Sequence, residues 1–241
     1  MQQVFITGAT SGIGRQLALD YCKQGWIVWA CGRNQAALSE LKQQAGEHLH
    51  PLCFDINLAA EIEHAARKIT ALDLLILNAG TCEYIDDAKH FDGALFERVM
   101  QTNVISLGYC LQHLLPLLKR GGKLALMGSS ASYVALPRAE AYGASKAAVS
   151  YLARTLAIDL KPSGIAVSLI NPGFVNTPLT AKNDFPMPMS VDVTQASHAI
   201  ISGLAKDRFD VHFPKKFTLI LKTLAMLPEF MWQGLAARIR K

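Results

Sequence analysis

Apolar residues along this chain fall into short continuous runs, with little strict alternation. Such runs occur at Val4–Thr7, Trp26–Ala30, His50–Phe54, Leu74–Leu77, Lys123–Met127 and Ile165–Ile170. Runs of this length predict strands buried on both faces. Between them, apolar positions recur at helical spacing over Arg15 to about Gln24, Ala36–Gln44, Ala59–Ile69 and Val191–Lys206. Phe91 to about Leu118 reads as one long helix, with Pro116 ending or kinking its last turn. Tyr142 to Leu160 reads as another, broken by Pro162-Ser163-Gly164. A seventh strand is expected over Phe209–Phe213. Strands alternating with helices predict an α/β fold: a doubly wound, mostly parallel sheet of about seven strands with helices on both faces.

Composition adds bounds. The chain has 241 residues, 51% of them apolar, enough for a sizeable core and too many for disorder. Its net charge is +5, and the segment from Ala205 to Lys241 alone holds eight Lys/Arg and three acids, a net of +5. The body is therefore close to neutral, which argues against a nucleic-acid-binding core and marks a basic tail. Five cysteines without Cys-x-x-Cys spacing predict reduced thiols in a cytoplasmic compartment. No His/Cys grouping has ligand spacing, so no metal site is expected. Strand-like sequence begins at Gln3, leaving no expected room for a targeting peptide, and no apolar run reaches the ~20 residues of a membrane span.

The candidate chemistry sits at the ends of the predicted strands. Gly8, Ser11, Gly12, Ile13 and Gly14 form a glycine-rich turn between the first strand and its helix. Such a turn permits close approach of backbone to a pyrophosphate at a helix N-terminus, a dinucleotide site. The second strand ends Gly32-Arg33-Asn34, without the acid that holds the ribose 2′-hydroxyl of NAD. An arginine there suits the 2′-phosphate of NADP. Arg15 either shares that phosphate or is a solvated helix residue, and it is left out of the site. Asp55, followed by Ile56, either accepts a bond from the adenine amino group or caps a helix. Asn78-Ala79-Gly80 ends the fourth strand, Ser129 follows the fifth, and Asn171-Pro172-Gly173 closes the sixth. Asn103 lies mid-helix among apolar neighbours, where an amide needs partners. Tyr142 and Lys146, four apart on a helix, share a face, and a nearby ammonium favours ionisation of the phenol.

Over roughly residues 3 to 180 the sequence resembles the short-chain dehydrogenase/reductase family. The resemblance rests on Thr7-Gly8-x-x-x-Gly12-Ile13-Gly14, Asp55, Asn78-Ala79-Gly80, Asn103, Ser129, Tyr142-x-x-x-Lys146 and Asn171-Pro172-Gly173-x-Val175-x-Thr177, in that order. The family's serine lies 13 residues before its tyrosine, which selects Ser129 over Ser130. The resemblance implies a Rossmann-type fold and a catalytic set of Asn103, Ser129, Tyr142 and Lys146. Tyr142 would be the proton donor or acceptor, Lys146 would hold the nicotinamide ribose and lower the phenol pKa, and Ser129 would bond the substrate oxygen. Asn103 would hold a water for proton resupply, and Thr177 would bond the nicotinamide carboxamide beside Pro172, Gly173 and Val175. Gly32-Arg33 matches the family's NADP-preferring form. A dimer or tetramer is implied, paired through the helices near 95–118 and 142–160.

The substrate side and the tail are more open. Thr180–Met189, with Pro186-Met187-Pro188-Met189, is either an adaptable apolar lid or a plain connection. Residues 1–241 read as one oxidoreductase domain, with 215–241 a basic amphipathic helical extension. Phe217, Ile220, Leu221, Leu224 and Leu227 mark one tail helix; a second, Glu229 to about Arg240, bears Phe230, Met231, Trp232, Leu235 and Ile239. This surface fits peripheral contact with a membrane, or packing on its own domain or on a partner subunit. The expected function is an NADPH-dependent reductase or alcohol dehydrogenase acting on a lipophilic carbonyl or alcohol. The alternative is a catalytically silent NADP(H) sensor or a membrane-tethered interaction protein.

Overall fold

A computed structural model describes residues 1–239 of the chain. In it β1 (Gln3–Ile6), β2 (Ile27–Gly32), β3 (Leu49–Cys53), β4 (Leu72–Leu77), β5 (Leu118–Met127), β6 (Ala166–Pro172) and β7 (Asp210–Phe213) form one sheet, in the order β3-β2-β1-β4-β5-β6-β7. Every neighbouring pair runs parallel. The reason for continuous apolar runs is visible in the alternation of side chains. Val4 and Ile6 of β1 face one core and Phe5 the other; Leu74 and Ile76 of β4 likewise oppose Leu75 and Leu77. On one face α1 (Gly12–Lys23), α2 (Gln35–Ala45) and α7 (Val193–Ala205) contribute Leu17, Leu38, Leu41, Ile200 and Leu204. On the other, α3 (Ala59–Ala66), α5 (Ser106–Leu114) and α6 (Glu140–Asp159) contribute Ile62, Leu107, Leu114, Val149 and Ala153. The strand order reverses direction between β1 and β4, so the carboxyl ends of these strands part to leave a crevice.

Three elements differ from the sequence expectation. The long helix starts at α4 (Gly93–Met100), where the Asp92 side chain caps Leu95 N at 2.9 Å. It then passes through a π-helical turn at Gln101–Ile105 before α5, an interruption that local propensity does not encode. Pro116 sits in a closing 3₁₀ turn, and Leu118 already pairs with Leu72 of β4. Strand β5 is therefore longer than Lys123–Met127: its register shifts between Leu118 and Lys123, around Gly121 at φ +81°.

The tail forms α8 (Lys215–Leu224) and α9 (Glu229–Ile239), and it packs on the chain's own sheet and loops. The expected end of the second tail helix, Arg240, lies outside the described residues. Leu221, Trp232 and Ala236 form a small core with Val134, flanked by Tyr133, Leu136 and Phe217. Trp232 donates Nε1–H to the Ala135 carbonyl at 2.7 Å. Lys222 pairs with Asp210 of β7, and the His212 ring lies 2.6 Å from the Thr218 hydroxyl. No described helix is long and apolar enough to cross a membrane.

Trp232 is buried and its indole N–H is satisfied, so truncation removes both packing and a hydrogen bond. Trp232→Ala is expected to cost about 3 kcal/mol of stability, read from the urea midpoint of the purified protein. A shift near zero would mean that α9 is not held against Val134 and Ala135.

Candidate active site

The carboxyl ends of β1, β2, β4, β5 and β6 converge on a cleft of about 310 Å³. Of the expected residues, Gly8, Ser11, Gly12, Ile13, Arg33, Asp55, Ile56, Asn78, Ala79, Gly80, Ser129, Tyr142, Lys146, Pro172, Gly173, Val175 and Thr177 line it. Gly14, Asn34 and Asn103 do not.

The glycine turn shows why its residues must be small. Gly8 sits at φ +67°, and a Cβ there would come within 2.9 Å of the Ala79 backbone. A Cβ at Gly14 would strike the Gly8 carbonyl at 2.2 Å, so Gly14 acts by packing the turn and not by facing the cleft. Gly12, at φ +54°, would bring a Cβ to 3.1 Å from Thr177 Cγ2. Asn78 ties this turn to β4: its Nδ2 donates to the Thr7 carbonyl at 2.9 Å and the Gly8 carbonyl at 3.3 Å. Thr7 Oγ1 in return accepts from Asn78 N at 2.9 Å and Ala79 N at 3.0 Å. A turn pressed this closely on β4, opening at the N-terminus of α1, fits a dinucleotide diphosphate.

Around that turn the polar residues take different parts. Arg33 follows the last residue of β2 at the cleft edge, with Nη1 3.5 Å from Asp55 Oδ2. Asp55 does not cap α3, whose N-cap is Leu58; it accepts from Asn57 N at 2.9 Å and faces the cleft. Asn34, which does not line the cleft, caps α2, accepting from Ala37 N at 3.0 Å. Arg15 is turned to α2, 3.2 Å from Glu40 and 2.8 Å from Gln44.

The second half of the cleft is built from β5, α6 and β6. Ser129, and not Ser130, lines it; the Ser129 hydroxyl accepts from Ala131 N at 3.1 Å. Tyr142 and Lys146 stand one turn apart on α6, with Nζ 5.7 Å from the phenol ring centre. Thr177 and Thr180 join hydroxyls at 3.1 Å at the far wall. Asn103 lies behind Gly80, where an added Cβ would come within 3.1 Å of its Oδ1. Its Oδ1 accepts from Thr81 N at 2.8 Å, and its Nδ2 donates to the Thr81 carbonyl and to Ser145 Oγ, each at 2.9 Å. These bonds tie the loop that follows Gly80 to the helix that carries Lys146. Sequence reasoning gave no site role to Thr81 and Thr180, whose backbone or hydroxyls brace the site; threonines in loops carry no spacing that marks them out.

Beside the cleft, aromatic rings form a run. Tyr84 meets Phe185 at 5.4 Å, Phe185 meets Phe174 at 6.1 Å, and Phe174 meets Phe217 of α8 at 5.4 Å. The segment after β6 is tied down by Arg138, whose guanidinium bonds Asp184 at 2.8 Å and Asp86 at 2.9 Å.

The electrostatics correct one further expectation. Burial pushes the Tyr142 phenol above the ordinary tyrosine value, with Cys82 adding to the rise and the Ser129 hydroxyl opposing it. Tyr142 keeps some surface open to the cleft, so this push is weaker than for a sealed phenol. Burial also pulls Lys146 itself down to about 8, so both groups are biased toward their neutral forms. Among the described residues the ammonium has one hydrogen-bond acceptor, the Met127 carbonyl at 2.9 Å, and it is 4% exposed.

Comparison with known proteins agrees with this geometry. A family profile for short chain dehydrogenases matches residues 2–186. An uncharacterized oxidoreductase of Myxococcus xanthus is 32% identical over 244 residues, covering 98% of this chain and 96% of that protein. The closed form of serine dehydrogenase complexed with NADP+ superposes with a TM-score of 0.79 at 27% identity, covering 87% of this chain and 94% of that one. A short-chain dehydrogenase/reductase from Burkholderia phymatum, in complex with NAD, superposes with a TM-score of 0.83 at 20% identity and 92% coverage of each chain, a likeness of fold.

The buried ammonium makes a stability prediction with a definite sign. A folded-state value of about 8, below that of free lysine, means the charge opposes folding wherever it is present. That cost is complete below about 8 and is relieved as pH rises toward the value of free lysine. Lys146→Met is therefore expected to stabilise the ligand-free protein by up to about 3 kcal/mol at pH 7, with the gain shrinking by pH 10. Urea unfolding at the two pH values checks this; a destabilised variant at pH 7 would contradict it.

Proposed function

The chain belongs to the short-chain dehydrogenase family, and from that premise we propose that it is an NADPH-dependent carbonyl reductase, able to run in reverse as an alcohol dehydrogenase. The observation that carries the reading is the meeting of Ser129, Tyr142 and Lys146 in one cleft with the glycine turn and Arg33. The 2′-phosphate would be held by Arg33, the diphosphate by the turn of Gly8, Ser11, Gly12 and Ile13, and the adenine end by Asp55 and Ile56. Asn78, Ala79 and Gly80 would flank the middle of the cofactor, and Lys146, Pro172, Gly173, Val175 and Thr177 its nicotinamide end. NADPH, when bound, supplies the hydride for reduction.

The protein's own part is to manage the proton. Tyr142 donates its phenolic proton to the carbonyl oxygen, and Ser129 donates a hydrogen bond to the same oxygen. A phenol kept neutral by burial is suited to act as the acid at neutral pH. Lys146 would hold the ribose hydroxyls and, with its positive charge 5.7 Å from the centre of the phenol ring, limit how far the phenolate rises in energy as it forms. Asn103 is a positioning residue, fixing Thr81 and Ser145 around this centre.

The aromatic run of Tyr84, Phe185, Phe174 and Phe217 supports a lipophilic ketone, aldehyde or secondary alcohol as substrate. Support for NADPH over NADH comes from Arg33, from the missing acid after β2, and from the NADP+ held by the serine dehydrogenase relative. The reading treats residues 1–241 as one oxidoreductase domain with 215–241 as an extension, in a cytoplasmic setting consistent with its free thiols. A dimer or tetramer is supported by Tyr151 and Ile158, both exposed on α6. Contact with lipid is peripheral.

Two variants test the reading. Tyr142→Phe is expected to lower carbonyl-dependent NADPH oxidation by roughly 10²–10⁴-fold while NADPH still binds. Unchanged turnover would sink the proton assignment. Wild-type protein that binds NADPH yet reduces no member of a carbonyl series graded by chain length and ring size would favour the sensor reading. Arg33→Ala is expected to weaken NADPH binding by about 1.5–3 kcal/mol and NADH binding hardly at all. Equal losses for both cofactors would refute the phosphate role.

A further inference from the structure

The tail helices have two faces of different fate. Their inner faces are satisfied by the chain itself, through Thr218, Leu221, Trp232 and Ala236. Their outer faces are not. Leu219, Ile220, Met226, Phe230, Met231 and Leu235 are between 38% and 84% exposed, all within one 17-residue stretch. Scattered exposed apolar residues need no explanation, but six drawn from two successive helices and their connection mark an interaction surface.

The charge around the group indicates what covers it. Lys215, Lys216 and Arg238 are exposed at its borders, and Lys222 is turned inward onto Asp210. Residues 215–241 hold six Lys/Arg and one acid, Glu229, by sequence. A second copy laid on this face would bring these cations toward one another with a single acid, Glu229, to offset them. An anionic lipid surface would instead accept the apolar side chains among its acyl chains and the cations among its headgroups. Neither helix has the length or hydropathy to span, so contact would be in the plane of the interface.

We propose that the outer face of α8 and α9 is a docking surface for an anionic phospholipid bilayer. It extends the functional reading by naming the lipid surface, yet it holds whatever the substrate proves to be. Phe217 connects the two: it lies on the inner side of α8, against Phe174, and a Cβ at Gly173 would meet its ring at 2.7 Å. The docking helix thus forms part of the wall beside the cleft, a placement suited to a substrate that dwells in the bilayer.

The test uses the full-length protein and vesicles of phosphatidylcholine with or without phosphatidylglycerol. Co-sedimentation is expected to be at least about tenfold stronger on the anionic vesicles and to fall with added salt. The combined change Ile220→Ser, Phe230→Ser and Met231→Ser is expected to reduce it by a further factor of about ten or more, with NADPH binding retained. If those serines unfold the tail, Lys215→Glu with Lys216→Glu, both on exposed side chains, gives the same readout through charge alone. Wild-type protein that ignores both vesicles, or serine and glutamate variants that sediment like wild type, would overturn the proposal. So would a wild-type oligomer that the serine variant converts to monomer without any vesicle binding, because a second copy would then be the occupant. Vesicle binding is read without turnover, so its failure would leave carbonyl reduction standing, and loss of turnover would leave docking standing.

Discussion

The rest of the site depends on one interaction: the ammonium of Lys146, held in the interior with the Met127 carbonyl as its acceptor. A buried ammonium offers three donors, and holding its charge in a low-dielectric interior is costly. No carboxylate answers it among the described ion pairs. Burial accordingly lowers its proton affinity, and the structure around it is arranged to hold that charge in place regardless. Ser150 and Asn103 help to do so: the Ser150 hydroxyl bonds the Lys146 carbonyl at 2.8 Å, and Asn103 reaches Ser145 of the same helix. A protein that tolerates such a cost without neutralising it gains if a ligand's hydroxyls complete the set.

The sheet topology explains how distant residues reach this charge. Parallel strands deliver all their carboxyl ends to one edge, and the reversal of order between β1 and β4 opens that edge. The Thr7–Asn78 hydrogen bonds then lock the glycine turn to the end of β4. Residues from Gly8 to Thr180 are thereby brought to one cleft, although they are spread over most of the chain.

Much of this was legible in the residues alone, for physical reasons. Doubly buried strands must be apolar throughout, so their runs stood out, and the turn glycines stood out because no side chain fits there. What escaped were features decided by tertiary packing. The π turn around Asn103, the longer β5 and the capping role of Asn34 depend on neighbours that are remote in sequence or on competing local bonds. The expected depression of the Tyr142 pKa is outweighed by burial, which pushes the phenol up and the ammonium down, and spacing along a helix does not encode burial. The tail forms two helices, and periodicity could not tell which face of each would meet its own domain. Trp232, the residue most suggestive of a membrane interface, is the one turned inward.

The measurement that bears most directly on the Lys146 account is the proton balance of cofactor binding. Calorimetric titration of NADPH at pH 8.5, repeated in buffers of different ionisation enthalpy, gives the number of protons taken up on binding. If ribose hydroxyls complete the ammonium's hydrogen bonds, binding raises the Lys146 pKa from about 8, and wild-type protein takes up a fraction of a proton that Lys146→Met does not. Equal proton uptake by the two proteins, or none by either, would contradict the account.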